Sequence, residues 1–389
     1  MPLGGYKMKK LDVIIIGAGS VGTPTAMALG EIGEFKIAVI EKNAEVGQGQ
    51  NNRALGGVRA THSNFSKIIT CLKSIEVFSN WEKKHGDNIG WDRGGYSFLA
   101  YSKEHEELLK RSIDLQKSLG LNNDWLNAEQ ISELIPGIIR KGLRGGSYSP
   151  DDGRASPPLA IKAFYKYALS LDVVFKFKEI VKNFSIEHNK IKSIITNKDE
   201  YETTWVINAA GISASKIGSL VELDLPIYPE LHKAGITESV RSSEHFTKPL
   251  VVDIRSVPDC NNFYFFQNQK GQIEFTISPT HKTPGYDDIE PIFSERIEML
   301  RPDFKTLKIL RKRAGAYPMT PDGIPIVGTV DSIEGFINAV GLCGQGFMLG
   351  PGVGQLISRI ITNKLTEVDK RVLEGFRLKR DFNQPEGLK

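Results

Sequence analysis

The chain has 389 residues, of which 40% are hydrophobic, 9% aromatic and 25% charged, enough for a two-lobed fold with a sizeable core. Its 50 basic and 46 acidic residues leave a formal net charge of +4, which gives no argument for nucleic acid or an anionic membrane as partner. Residues 1–7, MPLGGYK, read as a disordered leader. Leu11 to Ile16 is apolar, β-branched and stopped by Gly17, the pattern of a buried strand. Ser20 to Ile32 reads as a helix closed by Gly33, and Lys36 to Ile40 as a second strand, together a β-α-β unit. The apolar run Val13 to Ala18 is too short to span a bilayer and has the wrong glycines for a secretory signal, so no transmembrane segment is expected.

Further along, Phe65, Ile68, Ile69, Leu72, Ile75, Phe78 and Trp81 keep helical spacing and predict a long amphipathic helix. A second spans Lys103 to Leu119. Asn127 with Gln130 three residues on resembles a capping box before a short helix. Short strands follow from Val173 to Ile195, and another at Thr203 to Gly211 ends in small residues. Residues 219–317 read mainly as strand, with one helix near Ile289 to Leu300. The end returns to strand at Gly335 to Val340, a glycine-rich turn, and a helix near Gly352 to Thr362. Two α/β pieces therefore flank a different centre, as one nucleotide-binding domain with a second domain inserted. Cys71, Cys260 and Cys343 are far apart with no C-x-x-C spacing, which argues against disulfides or a zinc site and for a reducing, cytoplasmic setting. No metal site is expected.

Gly17, Gly19 and Gly22 spell G-x-G-x-x-G between strand and helix. The first glycine permits the turn, the second lets a pyrophosphate approach the backbone, and the third lets helix and strand pack closely. The helix N-terminus offers free N–H groups and partial positive charge to the phosphates. Glu41 follows Gly22 by 19 residues, where a carboxylate accepts ribose hydroxyls and repels a 2′-phosphate. An NAD-dependent dehydrogenase would usually continue with further β-α repeats. Instead Glu45 to Ser63 is polar, glycine-rich and aperiodic, as if laid along an extended ligand, and a second glycine-rich segment, Ala339 to Gly354, again precedes a helix. A flavin dinucleotide in extended form uses both.

The segments DVIIIGAGSVG…VIEK, WVINAAGISA and AGAYPMTPDGIPIVG…GLCGQGFMLGPGVGQLI together resemble the D-amino-acid-oxidase-like flavoproteins. Within that family the likeness is greatest to sarcosine oxidase β subunits, glycine oxidase and the β subunit of dye-linked L-proline dehydrogenase. The resemblance implies an α/β fold with an α+β substrate part. A Rossmann-like FAD-binding domain of discontinuous segments, 8–90, 142–218 and 318–376, would carry an inserted mixed-sheet substrate domain at 91–141 and 219–317. It implies oxidation of an amine or amino-acid C–N bond, with hydride passing from the α-carbon to flavin N5 and the imine then hydrolysing.

By the same resemblance, Gly17, Gly19, Ser20, Val21 and Gly22 hold the pyrophosphate, and Glu41 the adenosine ribose with Lys42 beside it. Gln50, Asn51, Asn52 and Arg53 run past the flavin, Val181 meets the adenine, and Ala209, Ala210 and Gly211 lie close to the dinucleotide. Gly344, Gln345, Gly346, Phe347 and Met348 lie beside the flavin's pyrimidine edge. Where some relatives attach FAD through a cysteine, this chain has Gly315, so FAD is expected to be non-covalent. Tyr317 stands where glycine oxidase has an arginine, and Met348 where monomeric sarcosine oxidases have a lysine. Arg59 is the remaining cation for a substrate carboxylate, by a bidentate charge-assisted pair, with His62 nearby and Tyr317 as a hydrogen-bonding partner. Cys343 reads as structural.

No histidine or carboxylate pair reads as an obligate general base, and burial alone can favour the neutral amine. The oxygen-activating lysine of the oxidases is missing from Gln272 to Ser278. That favours a dehydrogenase of the EC 1.4/1.5 type passing electrons to a partner redox subunit or quinone, with a hetero-oligomer as one form of that partnership. A peroxide-producing oxidase, a C–O-oxidising enzyme acting on a hydroxy acid or glycerophosphate, and a non-catalytic FAD-bearing subunit stay open.

Overall fold

The computed structural model describes residues 9–240, 248–278 and 289–388; the leader lies outside them. Four β-branched residues, all buried, form the strand Val13–Ile16. It lies between Trp205–Asn208 and Ile37–Glu41, parallel to both. Ile333–Val340 and Lys190–Thr196 extend the parallel core on one side and Val174–Phe177 on the other. Val181–Glu187 and Ile326–Val330 pair antiparallel at its margin, in a sheet of ten strands among the described residues.

Such central strands read as unbroken apolar runs because both faces are covered. Val13, Ile15, Ile37 and Val39 join one core with the helices Gly22–Gly30, Phe65–His85, Pro157–Ser170 and Gly346–Ile361. Ile14, Ile16 and Ile40 join a second core on the opposite face. The helix Phe65–His85 is capped by the Asn64 side chain, and the Asn127–Gln130 capping box is formed ahead of Ala128–Leu134. The helices Pro157–Ser170, Ala214–Ser219 and Glu367–Phe376 carried no sequence expectation.

One expectation needs correction. The helix placed near Gly352 begins at Gly346, so most of the glycine-rich stretch is helical rather than a turn. Its glycines mark close approach. A Cβ at Gly354 would fall 2.8 Å from the Pro24 carbonyl oxygen, and one at Gly352 would overlap the Thr70 carbonyl. Bare backbone lets this helix press onto the Gly22–Gly30 and Phe65–His85 helices.

Among the described residues the second sheet has eight strands. Its order is Ile309–Met319, Tyr228–Ser239, Gln272–Ser278, Asn262–Gln267, Leu250–Asp253, Tyr96–Ala100, Gly145–Ser149 and Asp124–Asn127. Gly145–Ser149 therefore belongs with this sheet, although a boundary at 142 would leave it with the first. Its paired glycines look like a turn in sequence but sit against the Phe98 and Leu126 carbonyls, where a side chain has no room. One face packs Phe263, Phe265 and Phe275 against the helix Ile289–Glu298. The register puts Phe98, Val252, Tyr264, Thr276 and Ala234 in line on the other.

Candidate cofactor and substrate cavities

Gly17 ends its strand with φ of 107°, and a Cβ there would lie 2.6 Å from the Ala209 carbonyl oxygen. The turn therefore brings the ends of two parallel strands together, and the Gly22–Gly30 helix starts above them. A cavity of about 720 Å³ opens at this point. Gly17, Gly19, Ser20 and Val21 line it, and the space a Gly19 side chain would fill is open. Gly22 packs beneath the turn instead of lining the cavity.

Glu41 is the last strand residue, buried on the cavity wall. Its Oε2 accepts from the Ala18 N–H at 2.8 Å, and its Oε1 accepts from the Asn43 N–H at 2.8 Å. The carboxylate thus ties the glycine turn to the end of the second strand. Lys42, Val181, Ala209, Ala210 and Gly211 continue the wall, with the Lys42 Nζ donating to Ser213. Gln50, Asn51 and Arg53 line it from a 3-10 turn, but Asn52 points outward and is exposed. The Ala316 N–H donates to Gln50 Oε1 at 2.9 Å, pinning the turn to the second sheet beside Gly315. Gly344, Gly346 and Phe347 close the cavity from the start of the last long helix.

A smaller cavity of about 200 Å³ adjoins the first; Ala54, Leu55, His232, Tyr317, Gly344 and Phe347 border both. Tyr96, Phe98, Tyr264 and Tyr317 give it aromatic walls, and Arg59, Gln345 and Met348 line it as well. Burial pushes the Tyr317 and Tyr96 hydroxyls upward, so both act as neutral hydrogen-bonding groups. Arg59 is the cation of this wall. Its Nη1 donates to the Thr61 carbonyl, its Nη2 to the Leu388 carbonyl at 2.8 Å, and its guanidinium stands over Phe98.

His62 does not line either cavity. It is wholly buried behind Arg59, with Nδ1 3.1 Å from Arg59 Nη1 and Nε2 3.5 Å from Cys71 Sγ. Burial, then the charges of Arg59 and Lys67, push its pKa well below the ordinary value, so the ring is neutral and braces Arg59. The Cys343 sulfur is tied to Thr320 and Gly341, and all three cysteines are free and buried. Glu230, His232 and Tyr264 were missed in sequence. The available signal was alternation: Glu230 and His232 are two apart on one strand and so share a face.

The DAO family model, FAD dependent oxidoreductase, matches residues 12–360. This chain belongs to that family. Members are FAD-dependent, and the cavities fit the group. The buried Asn51 Oδ1 and Gln345 Oε1 have no hydrogen-bond partner among the described residues, one on each cavity wall. The structure is similar to that of L-proline dehydrogenase from P. horikoshii, with a TM-score of 0.86, 29% identity and coverage of 96% of this chain and 98% of that one. Glycine oxidase of Geobacillus kaustophilus is 25% identical over 92% of this chain and 95% of its own length. Mitochondrial dimethylglycine dehydrogenase of Rattus norvegicus is 22% identical over 90% of this chain, which spans only 42% of that protein. Among the described residues, no helix is long and apolar enough to cross a membrane.

Proposed function

We propose that this family member oxidises the C–N bond of a small amine or amino acid of the sarcosine, proline or glycine type. The observation that carries this is the small aromatic cavity with one arginine in its wall, adjoining the large one. A carboxylate on Arg59 would be oriented by charge-assisted hydrogen bonds, and the aromatic walls favour a compact cation or its neutral amine. Bound FAD supplies the two-electron acceptor. In this reading the first sheet and its helices hold FAD non-covalently, with Gly17 to Val21 at the pyrophosphate and Glu41 at the ribose. The second sheet covers it and walls the substrate.

The strand Gln272–Ser278 carries no lysine, and Thr276 is its residue on the large cavity. Lys233 also borders that cavity, on the opposite residue parity to His232. We therefore favour a dehydrogenase that hands electrons to a partner redox subunit or quinone over an oxidase. The buried thiols support a cytoplasmic setting. Anaerobic addition of sarcosine, L-proline, glycine and D-amino acids to the yellow protein tests the activity: one of them should bleach the flavin. Lack of bleaching by every amine, with bleaching by a hydroxy acid or glycerophosphate, would replace the C–N reading by a C–O one. Peroxide yield against dye reduction separates oxidase from dehydrogenase.

A further inference from the structure

His232 is where the two cavities meet. Its strand pairs with Ile309–Met319 so that it stands opposite Gly315, which has no side chain to come between the imidazole and the large cavity. The ring is stacked on Tyr317, centroids 3.8 Å apart and planes 15° from parallel. Its Nε2 is 2.7 Å from Glu230 Oε1. With the Nε2 hydrogen committed to that carboxylate, Nδ1 keeps its lone pair. Nδ1 is buried and has no hydrogen-bond partner among the described residues. The imidazole of this residue, which borders both cavities, is thus fixed by stacking on one side and a carboxylate on the other, and its buried Nδ1 is left without a partner among the described residues.

We propose that His232 is a catalytic residue: its Nδ1 takes the proton that the incoming ammonium must lose. The inference rests on the amine reading above. An amine or amino acid arrives protonated, and hydride can leave its α-carbon only once nitrogen has a free electron pair. In the step assigned here one N–H bond of the substrate breaks, its electron pair stays on nitrogen, and the proton bonds to Nδ1. With FAD bound as the two-electron acceptor, the neutral amine can then give up hydride from its α-carbon as the nitrogen pair forms the C=N bond, and the proton on Nδ1 returns to solvent. Glu230 holds the Nε2 edge of the ring, Tyr317 stacks beside it as a neutral phenol, and Tyr264 and Arg59 stand with it on the small-cavity wall. A glutamate two residues before a histidine on one strand is the orienter–base arrangement of general base catalysis.

The test is the pH dependence of anaerobic flavin bleaching by the amine that reduces the wild type. H232Q should keep its bound FAD spectrum and lose about 10²-fold or more of the bleaching rate at neutral pH. The rate should climb back as pH rises to the pKa of the free amine, because solvent then delivers the neutral form. E230Q keeps the hydrogen bond but not the charge, so the same shift should appear in smaller degree; it decides the matter if H232Q does not retain FAD. A pH profile unchanged from wild type, whether or not the rate falls, overturns the assignment. If no amine bleaches the wild type, the amine reading itself fails, and that outcome is seen before any variant is made.

Discussion

Arg59 shows how much one side chain can be asked to do. Two backbone carbonyls and a neutral imidazole hold its guanidinium, yet it still borders the small cavity. A lysine would keep the charge but could not make this fan of bonds. R59K is therefore expected to raise KM for a carboxylate substrate by about ten- to a hundredfold, from the loss of a charge-assisted pair, with a smaller change in kcat and an unaltered FAD spectrum. Steady-state kinetics check it; equal KM would remove Arg59 from substrate binding.

Behind it lies Asp152, whose carboxylate accepts from the Ala60 N–H at 2.8 Å and from the Thr61 hydroxyl at 3.1 Å. Burial pushes its pKa up to about 6, against the opposing hydrogen bonds and Arg59. An acid whose pKa is higher folded than unfolded binds more protons in the native state. Stability is then greatest below the unfolded pKa and falls as pH rises toward 6. That rise in pKa above the ordinary carboxylate value corresponds to roughly 3 kcal/mol. Denaturant titrations of wild type and D152N from pH 4 to 8 should show the gap between them moving in favour of D152N as pH rises. A pH-independent gap would count against this account. Asp152 could not be singled out from sequence, because what distinguishes it is burial and the donors at Ala60 and Thr61, far away in the chain.

At the scale of elements, the segment after the last helix carries more of the site than its sequence suggests. Arg380 is paired with Asp322, and Glu386 is buried against Lys67 at 3.3 Å. Ser63 donates both its N–H and its hydroxyl to Glu386, and Leu388 lies in the core with Tyr96 and Phe98 while its carbonyl holds Arg59. Burial opposes the Glu386 charge, but Lys67 and Ser63 hold its carboxyl below the usual range; burial also pulls Lys67 downward. Breaking such a pair strands a charge, at a cost of about 3–5 kcal/mol. E386Q should lose stability on that scale and raise KM as Arg59 loosens. K67M added to E386Q should restore much of the stability, measured by thermal melting, because the stranded charge is gone. Helical periodicity exposed Phe65–His85 in the sequence, and capping exposed Ala128–Leu134. A strap of polar residues has no period, so nothing in the sequence pointed to it. The glycine-rich helix at Gly346–Ile361 was misread for the converse reason: glycine signals turns on average, and close packing only in context.

For the whole molecule, the β-α-β unit and its acid were legible because the glycine turn is local: Gly17, Gly22 and Glu41 lie within 25 residues of one another. The meeting of the two sheets was not, since it depends on pairs such as Gln50 with Ala316 that are far apart in the chain. The large cavity takes its wall from both sheets and from the 3-10 turn Gln50–Arg53 between them. In the proposed reading FAD fills this cavity and therefore touches both sheets and the turn. FAD binds only the assembled state, so free FAD at about 100 times Kd should add roughly 2.7 kcal/mol, and melting should depend on its concentration. Arg53 is exposed in that turn, which gives a local readout. After cofactor removal, trypsin should cut at Arg53 faster than in the loaded protein, and added FAD should restore protection. If the cut rate ignored FAD while melting still rose, the cofactor would be stabilising the first sheet alone, and the proposed clasp across the two sheets would be wrong.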